Sequence, residues 1–230
     1  MVKSLRSTAG RLTARPTLPL AKDAPTGLRS LDLEAERDGL IYVPRDYRPE
    51  RATPLVLMLH GAGGNAEMAL SLLAGLADRY GLVLLAVSSQ QRTWDVIVDD
   101  FVPDIAAIDR ALAQTFYRYA IDAQHLAIAG FSDGASYALS VGLTNGQLFT
   151  HVMAFSPGFV VPVVPQGKPR LFIAHGTRDP VLPIDRCSRS IVPLLQQAGY
   201  APVYQEFEGG HSVPAHIAEQ AMDWLMGDRF

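Results

Sequence analysis

Cysteine is almost missing from this chain. With only Cys187 among 230 residues, no internal disulfide can form and no thiolate-rich metal site can be built, a usage expected of a reducing, cytoplasmic setting. Cys187 lies in Asp185-Arg186-Cys187-Ser188-Arg189 and reads as a partly buried structural thiol. Long apolar runs are also missing. Stretches such as Leu82 to Val87 fall far short of the ~20 residues that cross a bilayer, so no membrane span is expected. A basic excess is lacking as well: 20 Lys and Arg stand against 23 Asp and Glu, a formal net charge of −3, which gives no electrostatic reason for a nucleic-acid partner. No histidine and carboxylate cluster has zinc-ligand spacing, so neither a metal nor another cofactor is expected. The first 22 residues carry Lys3, Arg6, Arg11, Arg15 and Lys22 without an acidic residue, and no continuous apolar core follows them as a secretory leader would require. We therefore expect residues 1–27 to be a mobile or loosely packed arm, and residues 28–230, which show no repeat, low-complexity block or linker, to form one domain.

What the chain does contain is an alternation of short apolar strands and amphipathic helices. Ser30 to Glu36 alternates polar and apolar residues, Asp38-Gly39 offers a tight turn, and Leu40 to Val43 continues as a second strand, the pattern of an antiparallel edge hairpin. Leu55 to Leu59 and Leu82 to Val87 are continuous apolar runs, as in parallel strands buried on both faces. A helix over Glu67 to Arg79, stopped by Tyr80-Gly81, is expected between them. Pro103 to Tyr117 is helical by its spacing of Ile105, Ile108, Leu112 and Phe116, with Pro103 suited to a first turn. Further strands are expected at Leu126 to Ala129, His151 to Phe155, Leu171 to Ala174 and Val203 to Phe207. The last two helices are expected at Cys187 to Ala198 and Pro214 to Met226. The fold class is α/β: a doubly wound, mostly parallel sheet with an antiparallel N-terminal hairpin. The loop from Ser156 to Pro169 is too short for a cap domain.

In such a sheet, reactive groups meet on loops leaving the carboxyl ends of the strands. The most informative of these is Gly130-Phe131-Ser132-Asp133-Gly134, preceded by a strand and followed by a helical segment, the setting of a nucleophile elbow. The turn requires strained angles at Ser132, and side chains at positions 130 and 134 would strike the neighbouring strand or helix. A serine hydroxyl needs a base, which neutral imidazole supplies best, and the imidazole needs a carboxylate to fix its tautomer and stabilise its charge. His211, in Glu208-Gly209-Gly210-His211, and Asp179, in His175-Gly176-Thr177-Arg178-Asp179-Pro180, follow later strands in the order serine, acid, histidine that belongs to this topology. His60 and His175 read as structural His-Gly steps, and Asp185 is the nearest rival acid. The developing oxyanion needs preorganised donors, for which the backbone N–H groups of Ala62, in the small-residue loop His60-Gly61-Ala62-Gly63-Gly64-Asn65, and of Asp133 are the candidates.

At these residues the chain resembles the α/β-hydrolase superfamily, and within it the small carboxylesterase/phospholipase group that includes acyl-protein thioesterases and feruloyl-esterase-like enzymes. The resemblance runs from about Leu40 to Trp224 and rests on His60 to Gly64, Gly130 to Gly134, His175 to Pro183 and Gly210-His211. Carried onto this chain it implies Ser132 as nucleophile, Asp179 as acid, His211 as base, and Ala62 and Asp133 as oxyanion donors. Hydrolysis of small-molecule esters or thioesters with short- to medium-chain acyl groups is then expected, with activity rising as free imidazole appears, typically near pH ~6.5. A peptidase with the same triad and a non-catalytic binding protein on the same scaffold are the rival readings. Trp94, Phe159, Val160 and Val181 are the candidate substrate-binding residues, Trp94 being equally readable as a packed loop anchor. Asp95 and Asp133 are expected to place negative charge near the mouth of a shallow, open cleft.

Overall fold

The strongest constraint on the chain is the run of apolar residues Leu55 to Leu59, which can be satisfied only by burial on both sides at once. In the computed structural model, which describes residues 10–33, 37–95, 103–161 and 164–227, this run lies in the interior of an eight-stranded sheet. The strands are β1 (Gly27–Ser30), β2 (Gly39–Val43), β3 (Thr53–Leu59), β4 (Val83–Val87), β5 (Ile121–Phe131), β6 (His151–Phe155), β7 (Arg170–Gly176) and β8 (Val203–Phe207). Their spatial order is β1-β2-β4-β3-β5-β6-β7-β8. β2 pairs antiparallel with both β1 and β4, and the pairings from β4 through β8 are parallel.

Successive strand side chains point to opposite faces, so the sheet separates two cores. Leu55, Leu57, Leu59, Val83, Leu85 and Ile128 contribute to one. It is covered by α3 (Pro103–Arg118), α4 (Asp133–Thr144) and α5 (Ser188–Gln197). Val56, Met58, Leu84, Ala127 and Met153 contribute to the other, beneath α1 (Ala66–Ser71), α2 (Ala74–Tyr80) and α6 (Ala215–Leu225). The strand order reverses about β3, which lies between β4 and β5. The carboxyl ends of β3 and β5 therefore flank the crevice in which open α/β sheets bind ligands.

Three expectations are corrected. The single helix over Glu67 to Arg79 is two helices, because the N–H groups of Leu72 and Leu73 reach back only three residues, to Ala69 and Leu70. That tightening brings Leu70, Leu73 and Ala77 together beneath the sheet. The first strand of the hairpin lies earlier than expected, over Gly27–Ser30. Asp38 makes no simple turn: its carboxylate accepts from Ser30 Oγ and from the N–H groups of Asp32, Leu33 and Gly39. This bends the chain away so that Leu31 and Leu33 are buried; Glu34 to Glu36 of the expected strand lie outside the described residues. Burial opposes ionisation of Asp38, but these donors outweigh it and hold the carboxyl below its ordinary range.

The expected N-terminal arm is packed across α3 and α4 over its described part. Leu12 is buried, Asn145 Oδ1 accepts from its N–H at 2.8 Å and Asn145 Nδ2 donates to Gly10 O at 2.8 Å. The N–H groups of Thr13 and Ala14 both donate to Asp109 Oδ1 at 2.8 Å. Residues 1–9 of the expected arm lie outside the described residues.

His151, at the start of β6, gives the fold an acid sensitivity. Its ring is buried, edge-on to Trp224 at 5.0 Å, with Arg170 Nη1 3.4 Å from Nε2. Burial first, then the charges of Arg170 and His125, push this imidazole down to about 4. Between pH ~6.5 and 4 the unfolded chain therefore binds a proton that the folded chain refuses. Stability is fully present above ~6.5 and falls as the pH drops toward 4, by about 3 kcal/mol from this group. Urea midpoints at several pH values should show a shallower acid loss for His151→Gln than for the unsubstituted chain; parallel curves would rule the assignment out.

Candidate active site

Ser132 connects β5 to α4 with φ 57° and ψ −123°, a region that side chains enter at a cost of about 1–3 kcal/mol. The strain is imposed from two sides. Its N–H donates to Phe155 O at 2.9 Å, and a methyl group on Gly130 would lie 2.1 Å from Gly134 O. Only a chain without side chains at both positions can turn this tightly, so the helix starts immediately behind the hydroxyl.

Three loops bring groups to that hydroxyl. His211, after β8, has Nε2 2.9 Å from Ser132 Oγ and Nδ1 2.6 Å from Asp179 Oδ2. Its ring lies 4.6 Å from that of Phe131. Asp179, after β7, has a fully buried side chain while that of His211 is 15% exposed. Asp179 Oδ1 accepts from the N–H groups of Val181 at 2.9 Å and Leu182 at 2.8 Å. Burial works against charge on Asp179, yet the donors at Leu182, His211 and Val181 outweigh it and hold the carboxyl below its ordinary range. With Asp179 accepting, Nδ1 of His211 carries the proton and Nε2 faces Ser132 as an acceptor.

The loop after β3 presses against the same serine: a methyl on Gly61 would sit 3.2 Å from Ser132 Cβ. Gly63 N donates to Arg92 O at 2.7 Å and Gly64 N to Gly61 O at 3.0 Å. Among the described residues, no protein acceptor meets the N–H of Ala62. The N–H of Asp133 opens α4, where helix geometry leaves the first donors unpaired. His60 anchors the base of the loop, its Nδ1 2.7 Å from Gly61 O and its Nε2 2.9 Å from Ser89 N. Burial pushes its imidazole down, so it stays neutral. Arg37 ties the loop to its neighbour by donating to Gly64 O and, at 2.6 Å, to Gln91 O.

Of the residues expected to line a substrate pocket, Trp94 is corrected. It is 0% exposed, stacked on Tyr137 at 4.9 Å, and its Nε1 donates to His60 O at 2.9 Å. It is a loop anchor behind the site. Asp95 is likewise buried rather than at a mouth: it accepts from Tyr137 Oη at 2.8 Å and from Asp104 N at 2.9 Å. Asp133 is braced by Thr93 Oγ1 at 2.7 Å. Phe159 and Val160 are half-buried and Val181 is 61% exposed. Ser136 Oγ holds the first of these by accepting from Gly158 N at 2.9 Å and Phe159 N at 3.3 Å. Val163, from the apolar part of this loop, lies outside the described residues. The sequence singled out neither Ser136 nor Ser140, whose Oγ accepts from Val161 N at 3.1 Å. The signal was their i, i+4 spacing on one face of the elbow helix.

Among the described residues, no group of three or more His, Cys, Asp or Glu is arranged to hold a metal ion, and no helix is long and apolar enough to cross a membrane. Solved structures similar to this chain include an acetyl xylan esterase from Aspergillus awamori, with a TM-score of 0.72 at 17% identity, covering 87% of this chain and 99% of that one. A Bacillus cereus carboxylesterase has a TM-score of 0.62 at 22% identity, covering 85% and 96%. The fold is thus that of α/β-hydrolase esterases. By sequence, the chain is 26% identical over 172 residues to "Probable feruloyl esterase C" of Aspergillus oryzae, covering 70% of this chain. It spans 62% of the length of that curated relative. A family model described as Phospholipase/Carboxylesterase matches residues 87–226, the stretch that holds Ser132, Asp179 and His211, and the chain therefore belongs to the phospholipase/carboxylesterase family of α/β-hydrolases.

Proposed function

We propose that this chain is a serine hydrolase that cleaves carboxylic esters or thioesters with short- to medium-chain acyl groups. One observation carries the reading: the continuous hydrogen-bonded path from Asp179 Oδ2 through both nitrogens of His211 to Ser132 Oγ. Ser132 Oγ attacks the acyl carbon while His211 Nε2 takes its proton, and Asp179 stabilises the imidazolium. The N–H groups of Ala62 and Asp133 stabilise the oxyanion. The alcohol or thiol leaves with the proton from His211. Water, deprotonated by the same nitrogen, then attacks the acyl-enzyme, releases the acid and restores Ser132. Phe159, Val160 and Val181 line the acyl or alcohol side, and Trp94 holds the loop behind it. The single, buried Cys187 supports a reducing, cytoplasmic setting.

The name of the Aspergillus oryzae relative makes aryl esters the first substrates to test. A fluorophosphonate should modify Ser132 and abolish hydrolysis of p-nitrophenyl acetate in proportion, with the matching anilide turned over far more slowly. Hydrolysis that persists after complete labelling, or a label found on another residue, would overturn the proposal.

A further inference from the structure

The triad acid has more donors than the elbow geometry requires. A carboxylate offers about four lone-pair directions. Val181 and Leu182 N–H groups fill the two on Asp179 Oδ1, and His211 Nδ1 fills one on Oδ2. The fourth faces a second imidazole: His175 Nε2 lies 3.3 Å from Oδ2, with both side chains fully buried. The same nitrogen is 2.8 Å from Leu182 O, and His175 Nδ1 is 2.7 Å from Ser188 Oγ.

These contacts determine where the proton of His175 sits. A carbonyl and an ionised carboxylate can only accept, so Nε2 carries the hydrogen; it donates to Leu182 O, with Asp179 Oδ2 alongside the same N–H. Nδ1 is then the acceptor, and Ser188, itself buried, donates to it. Burial pushes the imidazole down despite Leu182 O and Asp179 beside it, so His175 stays neutral when His211 becomes charged.

We propose that His175, oriented by Ser188, is a positioning residue that sets its N–H beside Asp179 Oδ2 and limits how strongly that carboxylate holds a proton on His211. The inference rests on Ser132, His211 and Asp179 acting as proposed above. It concerns a residue that touches neither Ser132 nor any atom that reacts. Its effect runs by two routes. Its N–H weakens the basicity of Oδ2, so that the imidazolium releases its proton at lower pH. Its bond to Leu182 O fixes the residue whose own N–H pins Oδ1, so the carboxylate cannot rotate away from His211.

Other charged and titratable groups surround this cluster. Glu206 is held down to about 2 chiefly by Arg189, with burial opposing. The Cys187 thiol is pushed up by burial first and then by the charge of Asp179. Arg178 pairs loosely with Glu208 at 4.0 Å on the exposed side, and Asp133 is bonded to Thr93 beside Ser132.

The experiment is the pH dependence of kcat/KM for p-nitrophenyl acetate in the full chain, for His175→Leu, His175→Gln and Ser188→Ala, with a Ser132→Ala control. Removing the donor should raise the midpoint of the acid limb by about half a pH unit and lower kcat roughly ten-fold by freeing Asp179. His175→Gln, whose amide can present an N–H near the position of Nε2, should restore the midpoint. Ser188→Ala should fall between the two, and it carries the test should His175→Leu fail to fold. An acid limb that stays in place in His175→Leu, or in Ser188→Ala in its stead, while hydrolysis still depends on Ser132, would overturn this inference alone. Hydrolysis that survives Ser132→Ala would overturn it together with the reading on which it rests.

Discussion

Replacing Ser132 with alanine is expected to lower kcat for an aryl ester by about 10⁴- to 10⁶-fold while leaving the fold intact, the range found when a triad nucleophile is removed. The loss is this large because the remaining groups have nothing to activate. His211 Nε2, 2.9 Å from the hydroxyl, would face a methyl group, and only the oxyanion donors proposed at Ala62 and Asp133 would still favour attack by water. Stability should change little. Alanine keeps a Cβ at φ 57°, so the backbone strain is neither relieved nor increased, and the deleted oxygen is bonded to the partly exposed ring of His211. Circular dichroism with single-turnover kinetics separates the two effects. Wild-type-like hydrolysis by a folded Ser132→Ala chain would mean that another group performs the chemistry.

The second large effect is steric. A methyl on Gly134 would lie 2.4 Å from both Leu59 O and His60 O, and neither atom can swing aside because both are backbone at the end of the central strand. Relief requires α4 to move off the sheet, which separates Tyr137 and Val141 from the core they help to fill. Gly134→Ala should therefore cost about 3–5 kcal/mol and displace Ser132 from His211. Gly75→Ala is the comparison: a methyl there meets nothing within 4 Å, in the helix α2, and should be neutral or stabilising by up to about 1 kcal/mol. Urea unfolding of both variants measures the contrast. Equal midpoints would show that the approach of α4 to β3 is looser than these distances imply.

Some features of the candidate site are local in origin. The elbow at Ser132 needs only a strand, two glycines and a helix in succession, and every one of those signals lies within a few residues of the serine. The buried strands were legible because Leu55 to Leu59 has no polar face to offer water. Other features depend on partners distant in sequence. Trp94 sits in a polar stretch that reads as surface, yet Tyr137 and His60, 43 and 34 residues away, form a slot that encloses it. His175 is the exception: its partner Asp179 is only four residues on, yet it looks like an ordinary strand-end histidine until the loop after β7 folds that carboxylate back over its Nε2. The described part of the arm reads as free chain because its anchors, Asp109 on α3 and Asn145 just past the end of α4, lie far along the sequence.

Periodicity and turn chemistry, acting over a few residues, determined the layering of this protein, the order of its strands along the chain and the elbow that presents Ser132. Tertiary structure alone decided which buried polar groups surround that serine, because a hydrogen bond in the interior is set by the convergence of separate elements, and no short-range pattern encodes that convergence.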